Sequence, residues 1–212
     1  PWVDILVSVE GPVVRQLQAV FLADWMSYTG RDLGQMLQPV APVAEPGLVA
    51  QVVATGPDKR AGSISDCLSG MLHGARERVT ITTPYYVPDV ALDAAIRAAA
   101  RRGVEVTMIL PARNDSLIVA ATSQGFYYGL RAAGVRLHLF EGGLLHSKIL
   151  SIDGQMAMIG SANLDRRSFE LNYEVNMAVF DADVTRDLDA RQQTYLDRAR
   201  PLTLDEVRAW SL

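Results

Sequence analysis

The chain has 212 residues, 49% of them hydrophobic and 21% charged, with a formal net charge of −4. That composition supports one substantial packed domain with residues to spare, and it argues against disorder, collagen-like repeats and a strongly basic nucleic-acid module. Cys67 is the only cysteine, so an intrachain disulfide and a cysteine-rich zinc site are both excluded. No apolar run approaches bilayer-spanning length and no signal-peptide pattern opens the sequence, so as given it reads as a soluble piece. Its start at Pro1 hints at a cut from a longer protein.

Residues 2–9 (WVDILVSV) are β-branched and apolar enough for a strand. An apolar periodic stretch from Val13 to about Tyr28 reads as a helix, with Pro12 in its first turn, where a missing N–H costs little. Residues 30–47 carry Pro39, Pro42 and Pro46 without a sustained period and read as extended. A division follows, with residues 1–28 before a Pro-rich linker at 29–47 and the main unit at 48–212.

Within that unit, residues 48–55 and 78–83 are strand-like around a helical segment near 62–75. Asp89 can cap a helix that ends at Arg101-Arg102-Gly103, and the strand 104–110 follows. A helix over about 115–133 stops at Gly134 and leads into the strand 135–140. The segment LLHSKILSIDGQMAMIG reads as two strands joined at Asp153-Gly154, a favoured hairpin turn. A strand at 172–180 and a helix at 183–198 close the pattern. The expectation is an α/β fold, with a mixed, largely parallel sheet sandwiched by helices.

The layout of WVDILVSV and its following helix repeats in NYEVNMAVF and its own. With one insertion, Asp4 falls opposite Glu174, so residues 1–28 look like the tail of an earlier copy of the closing unit.

Chemistry concentrates at His146-Ser147-Lys148-Ile149-Leu150-Ser151-Ile152-Asp153, of the form HxKxxxxD. Lys59 and Lys148 are the only lysines, and histidine occurs only at 73, 138 and 146, so the pattern carries more weight than most short motifs. Period-two geometry puts His146 and Lys148 on one face of a strand. A fixed ammonium beside an imidazole suits an anionic, oxygenated substrate, because lysine holds phosphate while histidine attacks phosphorus or moves a proton. Gly160-Ser161-Ala162-Asn163 follows the returning strand and places a hydroxyl and an amide where both could donate to phosphate. Glu174 could accept the second imidazole N–H and fix its tautomer.

HxKxxxxD followed by GSxN resembles the signature of the phospholipase D superfamily. EGGLLHSK, TTPYYVPD and NLDRRSFELNYE resemble, within it, the bacterial cardiolipin synthases, over nearly the whole chain. The resemblance implies two fused lobes that each supply one HxKxxxxD to a shared active site. One motif is present here, so the chain is expected to hold the second lobe and to lack the first, together with the membrane segments that would place the parent at the bacterial inner membrane.

The resemblance further implies phosphatidyl transfer between phosphatidylglycerol molecules through a phosphohistidine, with no metal or other cofactor. His146 would then be the acid/base, Lys148, Ser161 and Asn163 would hold phosphate, and Glu174 would orient His146. Asp153 would brace the motif from its turn, and Asp4 would have oriented the missing histidine. The expected partners are phospholipid and the missing lobe, with no nucleic acid, and the isolated piece is expected to be inactive. A phospholipase D or nuclease with water as acceptor is the rival enzyme; a catalytically silent domain that binds anions or lipid is the rival of another class.

His138 and His73 lack comparable neighbours and read as structural. Arg166 and Arg167 could contact lipid phosphate, although adjacent arginines in a loop are ordinarily solvated. Tyr85, Tyr86, Tyr127 and Tyr128 could line a lipid groove, although such aromatics are usually core.

Overall fold

Local signals fix most element ends in the computed structural model, which describes residues 1–37, 39, 47–60 and 62–210. The first half contains β1 (Trp2–Val3), α1 (Val13–Thr29), a 3₁₀ turn (Gly34–Met36), β2 (Val49–Thr55), α2 (Ser63–Gly74), β3 (Arg78–Thr82), β4 (Tyr86–Val87) and α3 (Val90–Arg101). Next come β5 (Glu105–Pro111), α4 (Leu117–Ala132), β6 (Arg136–Phe140), β7 (Leu144–Leu145), β8 (Ile149–Ile152), β9 (Met156–Gly160) and β10 (Leu164–Asp165). Then α5 (Arg166–Glu170), β11 (Glu174–Phe180), α6 (Ala182–Leu196), β12 (Ala199–Leu202) and α7 (Leu204–Trp210) complete the order. Asp89 caps α3 through a 2.8 Å bond from Leu92 N–H, as its sequence position predicts. Asp153 and Gly154 turn the β8–β9 hairpin with φ of 54° and 65°, the left-handed pair that this tight connection requires.

Eight strands form one sheet in the order β12-β6-β5-β3-β8-β9-β11-β2. It is mixed, as expected, but not largely parallel. Within this sheet, as far as the described residues go, β3–β5 and β5–β6 pair in parallel and the other five pairings are antiparallel. The β3-α3-β5-α4-β6 crossovers do lay their strands side by side. The hairpin then inserts next to β3, and β2 is carried to the far edge, where it runs antiparallel to β11.

Alternation along the strands divides the core in two. Val79, Ile81, Met108, Leu150 and Met158 face α2 and α3 residues such as Ile64, Leu68 and Ile96, while Ile149, Ala157 and Ile159 face Leu188 and Tyr195 of α6. On the outer edge of β2, the Val52 N–H donates to the Gln16 side chain of α1 at 2.9 Å, which covers part of an edge that would otherwise invite pairing.

Three expectations need correction. The strand expected over 2–9 is only Trp2–Val3, paired in parallel with β7 rather than joined to the main sheet. The strand expected through 144–153 breaks between Leu145 and Ile149. Past residue 198, where no element was expected, β12 pairs with the edge of β6 and α7 follows. Of the linker expected at 29–47, residues 38 and 40–46 lie outside the described residues. No helix among the described residues is long and apolar enough to cross a membrane.

Candidate active site

Register brings the polar residues to one end of the sheet. Thr82 lies opposite Ile149, Ile149 opposite Ile159, and Gly160 opposite Asn176. Lys148, Ser161 and Glu174 therefore sit at or just beyond the ends of three neighbouring strands. Glycine is needed at 160, because a Cβ there would collide with Asn176 and with the Val175 carbonyl oxygen.

His146 and Lys148 meet although the ladder is interrupted between them. Lys148 Nζ lies 2.9 Å from Nδ1 and 3.2 Å from Nε2 of the imidazole, and it donates to the His146 carbonyl at 2.5 Å. Ser147 points the opposite way, buried, with its hydroxyl 3.0 Å from that of Tyr195. Burial lowers the pKa of Lys148, a shift that the charges of Asp4 and Glu174 partly offset.

The N-terminal segment is built into this site. The His146 N–H donates to the Val3 carbonyl at 2.8 Å, the Leu144 N–H to the Pro1 carbonyl at 3.0 Å, and Trp2 packs edge-on against the imidazole with centroids 4.6 Å apart. Gly143, at φ 132°, accepts this docking because a Cβ would strike the Pro1 carbonyl at 2.5 Å. Asp4 Oδ2 then lies 2.8 Å from His146 Nδ1. A carboxylate only accepts, so this bond puts a proton on Nδ1 and makes Nε2, 3.2 Å from Lys148 Nζ, the accepting nitrogen of the ring.

The pairing expected between Glu174 and His146 is therefore not made. Glu174 is 7% exposed, and its oxygens accept from Ser161 Oγ at 2.5 Å, Ser168 Oγ at 2.9 Å and Asn172 Nδ2 at 3.0 Å. A buried carboxylate filled by three donors is held in place by them. Conversely, Asp4, which the repeat assigns to the histidine of an expected preceding lobe, here reaches His146. The repeat found both carboxylates but could not say which imidazole each faces. Trp2, Ser168 and Asn172 lie inside the quoted segments but are not singled out there as site residues.

Ser161 spends its hydroxyl proton on Glu174, and its oxygen accepts from the Val175 N–H at 3.0 Å. The buried carboxamide oxygen of Asn163 has no hydrogen-bond partner among the described residues, in common with buried atoms of Thr55, Ser65 and Ser123 elsewhere in the fold. Asp153 stands at the far end of the hairpin from Lys148, accepting from the backbone N–H groups of Arg76, Glu77 and Arg78 at 2.9, 2.9 and 2.8 Å. Burial alone would raise its pKa, but those three donors bring it below the usual carboxylate value. His73 Nδ1 contacts the Ser69 carbonyl at 2.6 Å, and His138 lies in β6 on the other half of the sheet. Tyr86 and Tyr127 are buried, whereas Tyr128 is exposed.

Solved structures share this arrangement of strands. A phospholipase D family member from Salmonella typhimurium superposes with a TM-score of 0.63 at 17% identity, covering 74% of this chain and 99% of that one. Phosphatidylserine synthase from Haemophilus influenzae gives 0.61 at 15% identity, covering 87% and 47%. Fold and motif together define a domain of the phospholipase D class. Residues 68–195 match the family described as "Cardiolipin synthase, PLD-like domain". Cardiolipin synthase A of Klebsiella pneumoniae is 39% identical over 215 residues, taking in 99% of this chain and 43% of that protein. The Pectobacterium carotovorum enzyme of that name is also 39% identical, over 95% and 42%. The chain belongs to the cardiolipin synthase family of phospholipase D-like domains, and it spans less than half the length of these relatives.

Proposed function

We propose that the chain is the second catalytic lobe of a cardiolipin synthase, moving a phosphatidyl group from one phosphatidylglycerol to a hydroxyl of another with release of glycerol. The observation that carries this reading is the Asp4–His146–Lys148 cluster, in which a carboxylate holds Nδ1 while an ammonium waits beside the ring. In the proposed reaction a histidine of the absent lobe attacks phosphorus, the P–O bond to glycerol breaks, and His146 Nε2 delivers its proton to the departing oxygen. The acceptor hydroxyl then gives its proton to Nε2 as it attacks the phosphohistidine, and the P–N bond breaks. Asp4 stabilises the imidazolium that enters the first step and is restored by the second. Lys148 and Asn163 hold the phosphoryl oxygens. Glu174 positions Ser161 and the loop that carries Asn163. One histidine cannot be both nucleophile and acid, so the lobe alone should be inactive. The shortfall in length against the relatives supports a missing partner lobe, and membrane attachment would then come from the parent protein.

Incubating the longer parent with labelled phosphatidylglycerol tests the reading. Cardiolipin and glycerol are the expected products, both lost in His146→Ala. Phosphatidic acid without cardiolipin would instead identify a hydrolase using the same site.

A further inference from the structure

A cleft opens directly beside Asn163. About 420 Å³ in volume, it is lined by Tyr85, Ser116, Arg166, Arg167 and Asn172 as well as Asn163. Asn172 also donates to Glu174 at 3.0 Å, so the cleft and the active site share a wall. Pairing of β10 with β4 ties this wall to the opposite one. Asp165 caps α5 by accepting the Ser168 N–H at 2.7 Å, which fixes the turn bearing both arginines.

The two guanidinium groups are available. Arg167 has no side-chain hydrogen bond or ion pair among the described residues, and Arg166 has only an exposed contact to Glu170 at 3.3 Å. Such an exposed pair contributes little and is easily exchanged for a better anion. Across the cleft, Tyr85 donates to Asp115 at 2.6 Å. Burial first, and Asp115 second, push that phenol up to about 12, so it remains neutral; the negative charges at the cleft are the carboxylates of Asp165, which lines it, and Asp115, against which the two arginines are set.

Transfer between two anionic lipids sets a requirement that hydrolysis does not. The acceptor brings its own phosphodiester, which does not react and must still be held near the donor. Lys148 is committed to the reacting phosphate, and the chain as a whole is acidic. We propose that this cleft is the acceptor subsite, with Arg166 and Arg167 binding the unreactive phosphodiester of a second phosphatidylglycerol so that its free glycerol hydroxyl points past Asn163 toward His146. The guanidinium fork suits a phosphodiester's paired oxygens. The assignment rests on the transfer reaction proposed above.

The test offers the longer parent phosphatidylglycerol together with ethanol, a neutral acceptor with no phosphate. Cardiolipin and phosphatidylethanol are quantified in the same tube, so the ratio does not depend on how much enzyme is folded. In the double variant Arg166→Gln/Arg167→Gln the cardiolipin-to-phosphatidylethanol ratio should fall about tenfold or more. Arg166→Lys/Arg167→Lys, which keeps charge without the fork, should fall in between. An unchanged ratio in the glutamine variant overturns the subsite, whether both products persist or both decline together. Wild-type parent that makes phosphatidylethanol but no cardiolipin overturns the proposed transfer and the subsite with it. Replacing the acceptor by water-soluble glycerophosphoglycerol separates headgroup recognition from lipid packing; the double variant should lower that product too, and equal use by both enzymes would overturn the role of the arginines.

Discussion

Asp4 and Glu174 both act electrostatically on Lys148, yet they occupy opposite environments. The Asp4 side chain is 50% exposed, on a segment held by a two-residue strand pairing, and it contacts His146 of the candidate site. Glu174 is almost fully buried at the start of a seven-residue strand and is saturated by three donors. Burial and donor count separate the two jobs. A carboxylate enclosed by its own fold braces a loop, while one presented at an edge can respond to a neighbouring imidazole whose charge changes during reaction.

Substitutions should part the two along that line. Glu174→Ala strands the Ser161 and Ser168 hydroxyls and the Asn172 amide, and should lower the free energy of unfolding by about 3 kcal/mol in denaturant titration. Asp4→Ala should instead lower phosphatidyl transfer by the parent about 100-fold, while the unfolding free energy moves by less than about 1 kcal/mol. A large stability loss on removing Asp4, or none on removing Glu174, would break the distinction.

Asp153 extends it to a third carboxylate. Asp153→Ala should cost about 2 kcal/mol in unfolding free energy. Because the native pKa is lowered, the wild-type contribution is complete above the ordinary carboxylate value of about 3.9 and disappears as pH falls through the native value. The gap between wild type and variant should close on acidification. Lys148 has the opposite sign and the smallest effect. Its lowered native pKa means that the charged form opposes folding near neutrality, and that this opposition fades as pH rises toward the ordinary value of about 10.4. Lys148→Met should therefore be slightly more stable than wild type at pH 7, in an advantage that shrinks at alkaline pH, while phosphatidyl transfer is lost.

Local chemistry made much of this legible. The Asp89 cap, the Asp153-Gly154 turn and the HxKxxxxD and GSxN spacings each act over a few residues, and each is found where the sequence puts it. What depended on distant partners was not legible. Strand order placed β2 beside β11, a choice set by tertiary packing that no strand pattern encodes. Pro201 and the short run around it disguised β12, although an edge strand tolerates proline. The seating of α6 through Gln192, which bonds Thr82, Ser151 and the Thr80 carbonyl, requires residues 41 to 112 positions apart to be known as neighbours. The contact of Asp4 with His146 was not legible for the same reason. Similarity between two strand–helix units located both carboxylates, but only the docking of residues 1–5 on β7 decides which histidine Asp4 meets.

That Asp4, and not Glu174, fixes the His146 ring can be read directly from the imidazole nitrogens. Nitrogen NMR of the chain above the ordinary imidazole titration range, with His73 and His138 as internal references, reports which ring nitrogen carries the proton. The Nδ1–H form of His146 should predominate in wild type and in Glu174→Gln, and should give way toward Nε2–H in Asp4→Ala. An Nδ1–H population that survives loss of Asp4 but collapses in Glu174→Gln would contradict the account.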